Sequence, residues 1–130
     1  MIKEEDIPTS YRNTALEMFE NIKEQKWRLV AILVSKSSPI SVASNDLVKT
    51  HPFTHTFFEH RRRHAEFLCL QKAPSSKIDG SIMFVWRFLK NGNLAMAKPC
   101  PMCTEMMQEK GVKRVIYSVS AIGQFEMMKL

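Results

Sequence analysis

Leu29-Val30-Ala31-Ile32-Leu33-Val34 is an unbroken apolar run between Arg28 and Ser35. It has the length of a strand and falls far short of the roughly 20 residues that a membrane helix needs. A strand with one wet face alternates apolar and polar side chains, whereas this one offers water nothing on either side. The run therefore predicts a sheet covered by a layer on each face. Upstream, Tyr11, Ala15, Met18, Phe19 and Ile22 recur every three or four residues, which predicts a helix after Pro8-Thr9-Ser10 and up to about Lys26. Downstream, Ser35 to Pro39 reads as a turn, and Ile40 to Asn45 alternates as a second strand. Asp46 to about Glu59 is rich in Thr, His and Phe without periodicity, and reads as a loop long enough to suggest function.

Farther along, a second helix is predicted from about Arg62 to Lys72, with Ala65, Leu68 and Cys69 turned to the core. Ser81 to Leu89 is β-branched and aromatic enough for a strand. Asn91-Gly92 then signals a hairpin, after which Leu94-Ala95-Met96 folds back. Pro99-Cys100-Pro101 opens a third helix that ends near Gly111. Val112 to Val119 is another strand, and only Ser120 to Gln124 separates it from Phe125–Leu130. So short a connection forces a hairpin and an antiparallel last strand. The order αββαβαββ predicts an α/β fold, a three-layer α/β/α arrangement around one mixed five-stranded sheet. Residues 1–130 read as a single domain, with an N-terminal helix region at 1–27 and the core at 28–130.

At 130 residues the chain suits one domain and can bury a real core. With 45% hydrophobic and 25% charged residues, four Gly and six Pro, disordered and collagen-like classes are excluded. No apolar stretch approaches the length of a bilayer span, and Glu4, Glu5 and Asp6 stand where a signal peptide needs basic residues. A soluble, cytoplasmic protein without a membrane partner is expected. The net charge of +6 is uneven: residues 47–90 hold eight Lys/Arg against three acids, and residues 1–28 five against six. A basic middle suits phosphate-bearing substrates or a nucleic-acid strand, and equally a solvated surface. Three cysteines, an odd number, argue against a disulfide framework.

Two short motifs carry the chemistry: His64-Ala65-Glu66 and Pro99-Cys100-Pro101-Met102-Cys103. One imidazole and two thiolates are good zinc ligands, and three protein ligands leave the fourth tetrahedral position open. Each ligand falls at or near a predicted helix start, where the helix dipole favours the thiolate form of cysteine. Cys100 and Cys103, three apart, share one helix face and can reach one ion. Cys69 is rotated about 140° from His64 around a helix and reads as a small buried apolar group. Taken alone, the CxxC pair also fits a structural zinc clip or two ordinary buried cysteines.

HxE followed by PCxxC, 36 positions after the His, is the signature of the zinc-dependent nucleobase deaminases. The chain resembles the cytidine and deoxycytidylate deaminase superfamily, and more closely the short deaminase-like proteins found in bacteriophages, over about residues 28–130. The resemblance implies a cytidine deaminase-like fold, zinc held by His64, Cys100 and Cys103, and Glu66 as a proton shuttle. It implies that zinc makes hydroxide available at neutral pH, while Glu66 carries protons to the ring nitrogen and the departing ammonia. It further implies that Asn45 hydrogen-bonds the substrate and that the Ala65 N–H bonds a pyrimidine carbonyl; an Asn at a strand end is otherwise a routine turn residue. In relatives the 46–59 region shapes the pocket, so one of Phe53, Phe57 and Phe58 can stack on a base, or all can pack in the core. His51 and His55 lie in the same region, and His60 reads as a surface residue or one behind the ligands. Of Arg61, Arg62 and Arg63, one can face a substrate phosphate.

The expected function is a zinc-dependent hydrolase that deaminates a cytosine-type nucleoside or nucleotide and releases ammonia. A base in single-stranded nucleic acid is the second reading, and a catalytically silent zinc-stabilised binding domain is the reading from another class. The antiparallel last strand resembles the free cytidine deaminase branch; in the deoxycytidylate and tRNA-adenosine branch a helix normally makes the last two strands parallel. A phage-encoded protein would act in the host cytoplasm. The apolar last strand, with Met127-Met128, suggests a homo-oligomer.

Overall fold

The computed structural model describes residues 2–45 and 64–130. The readings placed on Asp46 to Glu59, His60 and Arg61 to Arg63 lie outside the described residues. In chain order the elements are β1 (Ile2–Lys3), α1 (Thr9–Ile22), β2 (Leu29–Ser35), β3 (Ser38–Ser44), α2 (Ala65–Lys72), β4 (Ile82–Phe88), β5 (Leu94–Ala95), α3 (Pro101–Lys110), β6 (Arg114–Ser120) and β7 (Gln124–Lys129). One mixed sheet runs in the order β1-β7-β6-β4-β2-β3, with β5 added to β4. The β4–β6 pair is parallel, and its crossover carries α3. The other pairs are antiparallel, including the β6–β7 hairpin that the short connection required.

The apolar run of β2 divides residue by residue between two cores. Ala31 and Leu33 join Met83, Val85 and Val115 under Ala65 and Cys69 of α2 and Cys103 and Met107 of α3. Val30, Ile32 and Val34 join Phe84, Trp86 and Phe125 under Tyr11, Ala15, Phe19 and Ile22 of α1. Alternate side chains of a strand point to opposite faces, so both cores claim the run and no position is left for a polar residue. Aromatic contacts knit the α1 side: Tyr11 meets Phe84 edge-on at 5.4 Å, and Phe19 meets Phe88 at 4.8 Å. Each such buried side chain stabilises the fold by roughly 1.5–3 kcal/mol.

The differences from expectation have local causes. α1 stops at Ile22, its last buried residue, because Lys23 to Lys26 offers nothing apolar to bury. Arg28 Nε instead donates to Lys23 O at 2.9 Å and fixes the turn. β3 begins at Ser38 and includes Pro39, which an edge strand tolerates because its outer side needs no N–H. The sheet gains two two-residue strands beyond the five long ones, β5 behind Asn91-Gly92 and β1 against Phe125 and Gln124. Two residues carry no periodicity, so β1 leaves no trace in the sequence pattern.

Gly111 closes α3 in a left-handed conformation, φ +91°, and a Cβ there would lie 2.5 Å from Asp79 Oδ1 and 3.0 Å from Asp79 Cα. Gly80, φ +83°, has nothing within 4 Å of the same added atom. Gly80→Ala should therefore cost only the backbone strain, about 1 kcal/mol. Gly111→Ala adds a backbone clash and should lose about 2–4 kcal/mol, read as a lower midpoint in urea unfolding. Equal losses in the two variants would contradict the close approach of Asp79.

Candidate active site

His64 and Cys100 are both N-cap residues. His64 has extended backbone, φ −64° and ψ 145°, directly before α2, and Cys100 has φ −69° and ψ 162° before α3, whose first residue is Pro101. Proline suits this position because its missing N–H would have no partner within the helix anyway. The carbonyls of the two cap residues accept from Leu68 N–H at 3.1 Å and Thr104 N–H at 2.9 Å. Two helix N-termini, each carrying a partial positive charge, thus begin at the candidate ligands.

Cys103, in the first turn of α3, brings its Sγ to 3.4 Å from His64 Nδ1, and its N–H donates to Cys100 Sγ at 3.5 Å. Nδ1 or Nε2 of His64 and the two sulfurs all lie within 4.8 Å of one another. Tetrahedral zinc, with Zn–S near 2.3 Å and Zn–N near 2.0 Å, sets its ligand atoms roughly 3.5–3.8 Å apart. The residues fit such an ion. Hydrogen bonding with Cys103, assisted by His64, outweighs burial and lowers the Cys100 thiol to about 3, which favours the thiolate that binds metal.

Glu66 stands in the first turn of α2 and is only 2% exposed. Its Oε1 is buried and has no hydrogen-bond partner among the described residues. Burial raises its pKa, and the neighbouring Cys100 adds to the effect against the opposing pull of its own backbone and His64. Together with His64 and Cys100 it lines a cavity of about 360 Å³. Buried polar atoms are usually satisfied, so an orphaned carboxylate oxygen in a cavity beside metal-binding groups marks a place for a ligand or its water.

Asn45 follows β3 and lines the same cavity. Its Oδ1 accepts from Leu29 N–H at 2.7 Å, and its Nδ2 donates to Trp27 O at 2.9 Å and to Gln25 Oε1 at 3.4 Å. It thereby ties the segment entering β2 to the end of β3. Ala65, fully buried, is the first residue of α2, where an N–H has no acceptor within the helix. Cys69 is apart from the cluster. Its Sγ donates to Ser41 O at 3.4 Å and Ala31 O at 3.6 Å, and burial pushes its thiol up to about 11.

Sequence reasoning missed Trp27, Arg87, Met96 and Lys98, which line the cavity as well. The one available signal was Arg87, a charge within a strand otherwise made of apolar residues. Its meaning depends on register: it pairs with Leu29 and Ala95, and its guanidinium lies 4.8 Å from the Trp27 ring centroid.

The comparisons with known proteins agree with this geometry. The family model of the cytidine and deoxycytidylate deaminase zinc-binding region matches residues 7–119. Among solved structures, dCMP deaminase from the cyanophage S-TIM5 in complex with dCMP and dUMP is similar, with 29% identity and a TM-score of 0.53. That match covers 84% of this chain and 78% of the other. The apo form of that enzyme matches at 23% identity and TM-score 0.52, over 87% and 86% of the two chains. Acinetobacter baumannii RibD shares the fold at 16% identity and TM-score 0.53, over 85% of this chain and 27% of its own length. No curated protein sequence matches the chain. His64, Glu66, Cys100 and Cys103 all fall inside the matched span, and the chain belongs to the cytidine and deoxycytidylate deaminase zinc-binding family.

Proposed function

We propose that this protein deaminates a cytosine-type base in a free nucleoside or nucleotide, replacing the ring amino group with oxygen from water and releasing ammonia. The observation that carries this reading is the buried Glu66 Oε1, without a hydrogen-bond partner among the described residues, in the cavity shared with His64 and Cys100. A purely structural zinc clip has no use for that carboxylate. A zinc ion held by His64, Cys100 and Cys103 would supply a water acidic enough to yield hydroxide near neutral pH. Glu66 Oε1 would accept the first proton of that water and hand it to the ring nitrogen as the water oxygen bonds the amino-bearing carbon. It would then carry the second proton, from the new hydroxyl, to the amino group, which leaves as ammonia as the C–N bond breaks. The Ala65 N–H bonds the pyrimidine carbonyl, and Asn45 forms the wall that meets the rest of the substrate. Deamination within a single strand is the second reading. It is favoured by Trp27, 44% exposed at the cavity, a surface on which a neighbouring base can stack. Assembly as a homo-oligomer belongs to the same proposal, with the 43%-exposed Met127 of β7 on the surface offered to a second copy.

Elemental analysis of the purified protein should find about one zinc per chain. Cys103→Ala should lose it and Cys69→Ser should keep it; equal loss in both contradicts the ligand set. Glu66→Gln should keep the metal while kcat falls by about 10²–10⁴-fold, measured as ammonia released from a panel of bases, nucleosides, nucleotides and single strands. Wild-type turnover of none of these, or unimpaired turnover by Glu66→Gln, contradicts the mechanism. Sedimentation at micromolar concentration should show a dimer or larger species, and a monomer contradicts the assembly.

A further inference from the structure

We propose that Arg87, stacked on Trp27 at the cavity, reads a phosphate monoester on the substrate and makes the site select a nucleoside monophosphate over the nucleoside; the inference rests on the deaminase reading above. On β4, Met83, Val85 and Arg87 project to one face, because strand side chains alternate. Met83 and Val85 are fully buried under α2 and α3, so Arg87 continues their row on the face that carries the candidate zinc ligands. The sheet has no need of a guanidinium there. Arg87 has no carboxylate partner among the described residues, and its one side-chain hydrogen bond is a long one, from Nη1 to Met96 O at 3.4 Å.

Its position is nonetheless fixed. The Arg87 N–H donates to Ser118 Oγ at 3.1 Å, and that hydroxyl donates to Ala95 O at 2.7 Å. Trp27, held through its carbonyl by Asn45, presents its ring to the guanidinium. The Trp27 ring holds the guanidinium from one side and leaves most of its five N–H donors for an anion, and Arg binds phosphate oxygens through such donors as a fork. Lys98, exposed on the same cavity, is a second cation, against Glu66 as the acid of the lining. Two thiolates balance the charge of a zinc ion, so the remaining balance of the site is positive. A cytosine-type base and its sugar are neutral, and a phosphate is the part of the substrate class that this charge can recognise.

The test compares deoxycytidine and cytidine with their 5′-monophosphates, and with a trinucleotide carrying a central cytosine, on wild type, Arg87→Gln, Arg87→Lys and Lys98→Ala. Ammonia release gives kcat/KM, and calorimetry gives the affinity for the same compounds independently of turnover. Wild type should prefer the monophosphate. Arg87→Gln should shrink the monophosphate-to-nucleoside ratio by about 10–100-fold through KM and Kd, Arg87→Lys by less. Lys98→Ala, a change at an exposed side chain, should shrink it several-fold, which keeps the test alive if Arg87→Gln fails to fold. An unchanged ratio, an equal loss for nucleoside and monophosphate, or an Arg87 effect confined to the trinucleotide would overturn the inference. If monophosphate binding depends on Arg87 while no compound is deaminated, the phosphate site stands and the deaminase reading falls.

Discussion

β4 and β6 run parallel, and a parallel pair cannot be closed by a tight turn. The chain leaving β4 must cross one face of the sheet before it returns, and α3 is the helix it uses. That face is already occupied by α2, which packs in the same core through Ala65 and Cys69. The crossover therefore places the start of α3 beside the start of α2. His64 and Cys103, 39 residues apart in sequence, come within 3.4 Å as a consequence. The candidate metal centre follows from the topology of the sheet, and the ligands sit where two helix N-termini meet.

The same chemistry in different surroundings shows what this placement does. Cys69 and Cys100 are both free thiols on the α2–α3 side of the sheet. Cys69 is enclosed by apolar neighbours and backbone carbonyls, and burial raises its thiol to about 11. Cys100 caps a helix, half-buried, with Cys103 and His64 around its sulfur, and is lowered to about 3. One is a packing group and the other a candidate ligand, though both are the same residue type. Glu66 extends the contrast, since an ionisable group survives so deep in a core only where something compensates its desolvation.

Much of this was legible in the chain because it is local or because it obeys a strict period. The unbroken run Leu29 to Val34 announced two covered faces, and the two cores divide it as strand alternation requires. Cys100 and Cys103 lie within one turn at the start of α3, so their spacing put both within reach of one ion, and the HxE motif was needed to separate a candidate site from two buried cysteines. The five-residue link after Val119 dictated the antiparallel β7. What stayed hidden depends on pairing between distant segments. Arg87 looks like any strand-end arginine until its register with Leu29 and its stack on Trp27 are known. Asn45 was read as a substrate contact, and its ties to Trp27 and Leu29 appear only once β2 and β3 are side by side. β1 has two residues, too few for any pattern.

The proposed metal centre has two sulfurs and one imidazole, with a fourth position open beside Glu66. Zinc K-edge X-ray absorption of the purified protein counts the scatterers around the ion. Two sulfur neighbours near 2.3 Å and two nitrogen or oxygen neighbours near 2.0 Å, one of them water, are expected. A third sulfur would mean that Cys69 has left the core to close the site, and would contradict the open fourth position.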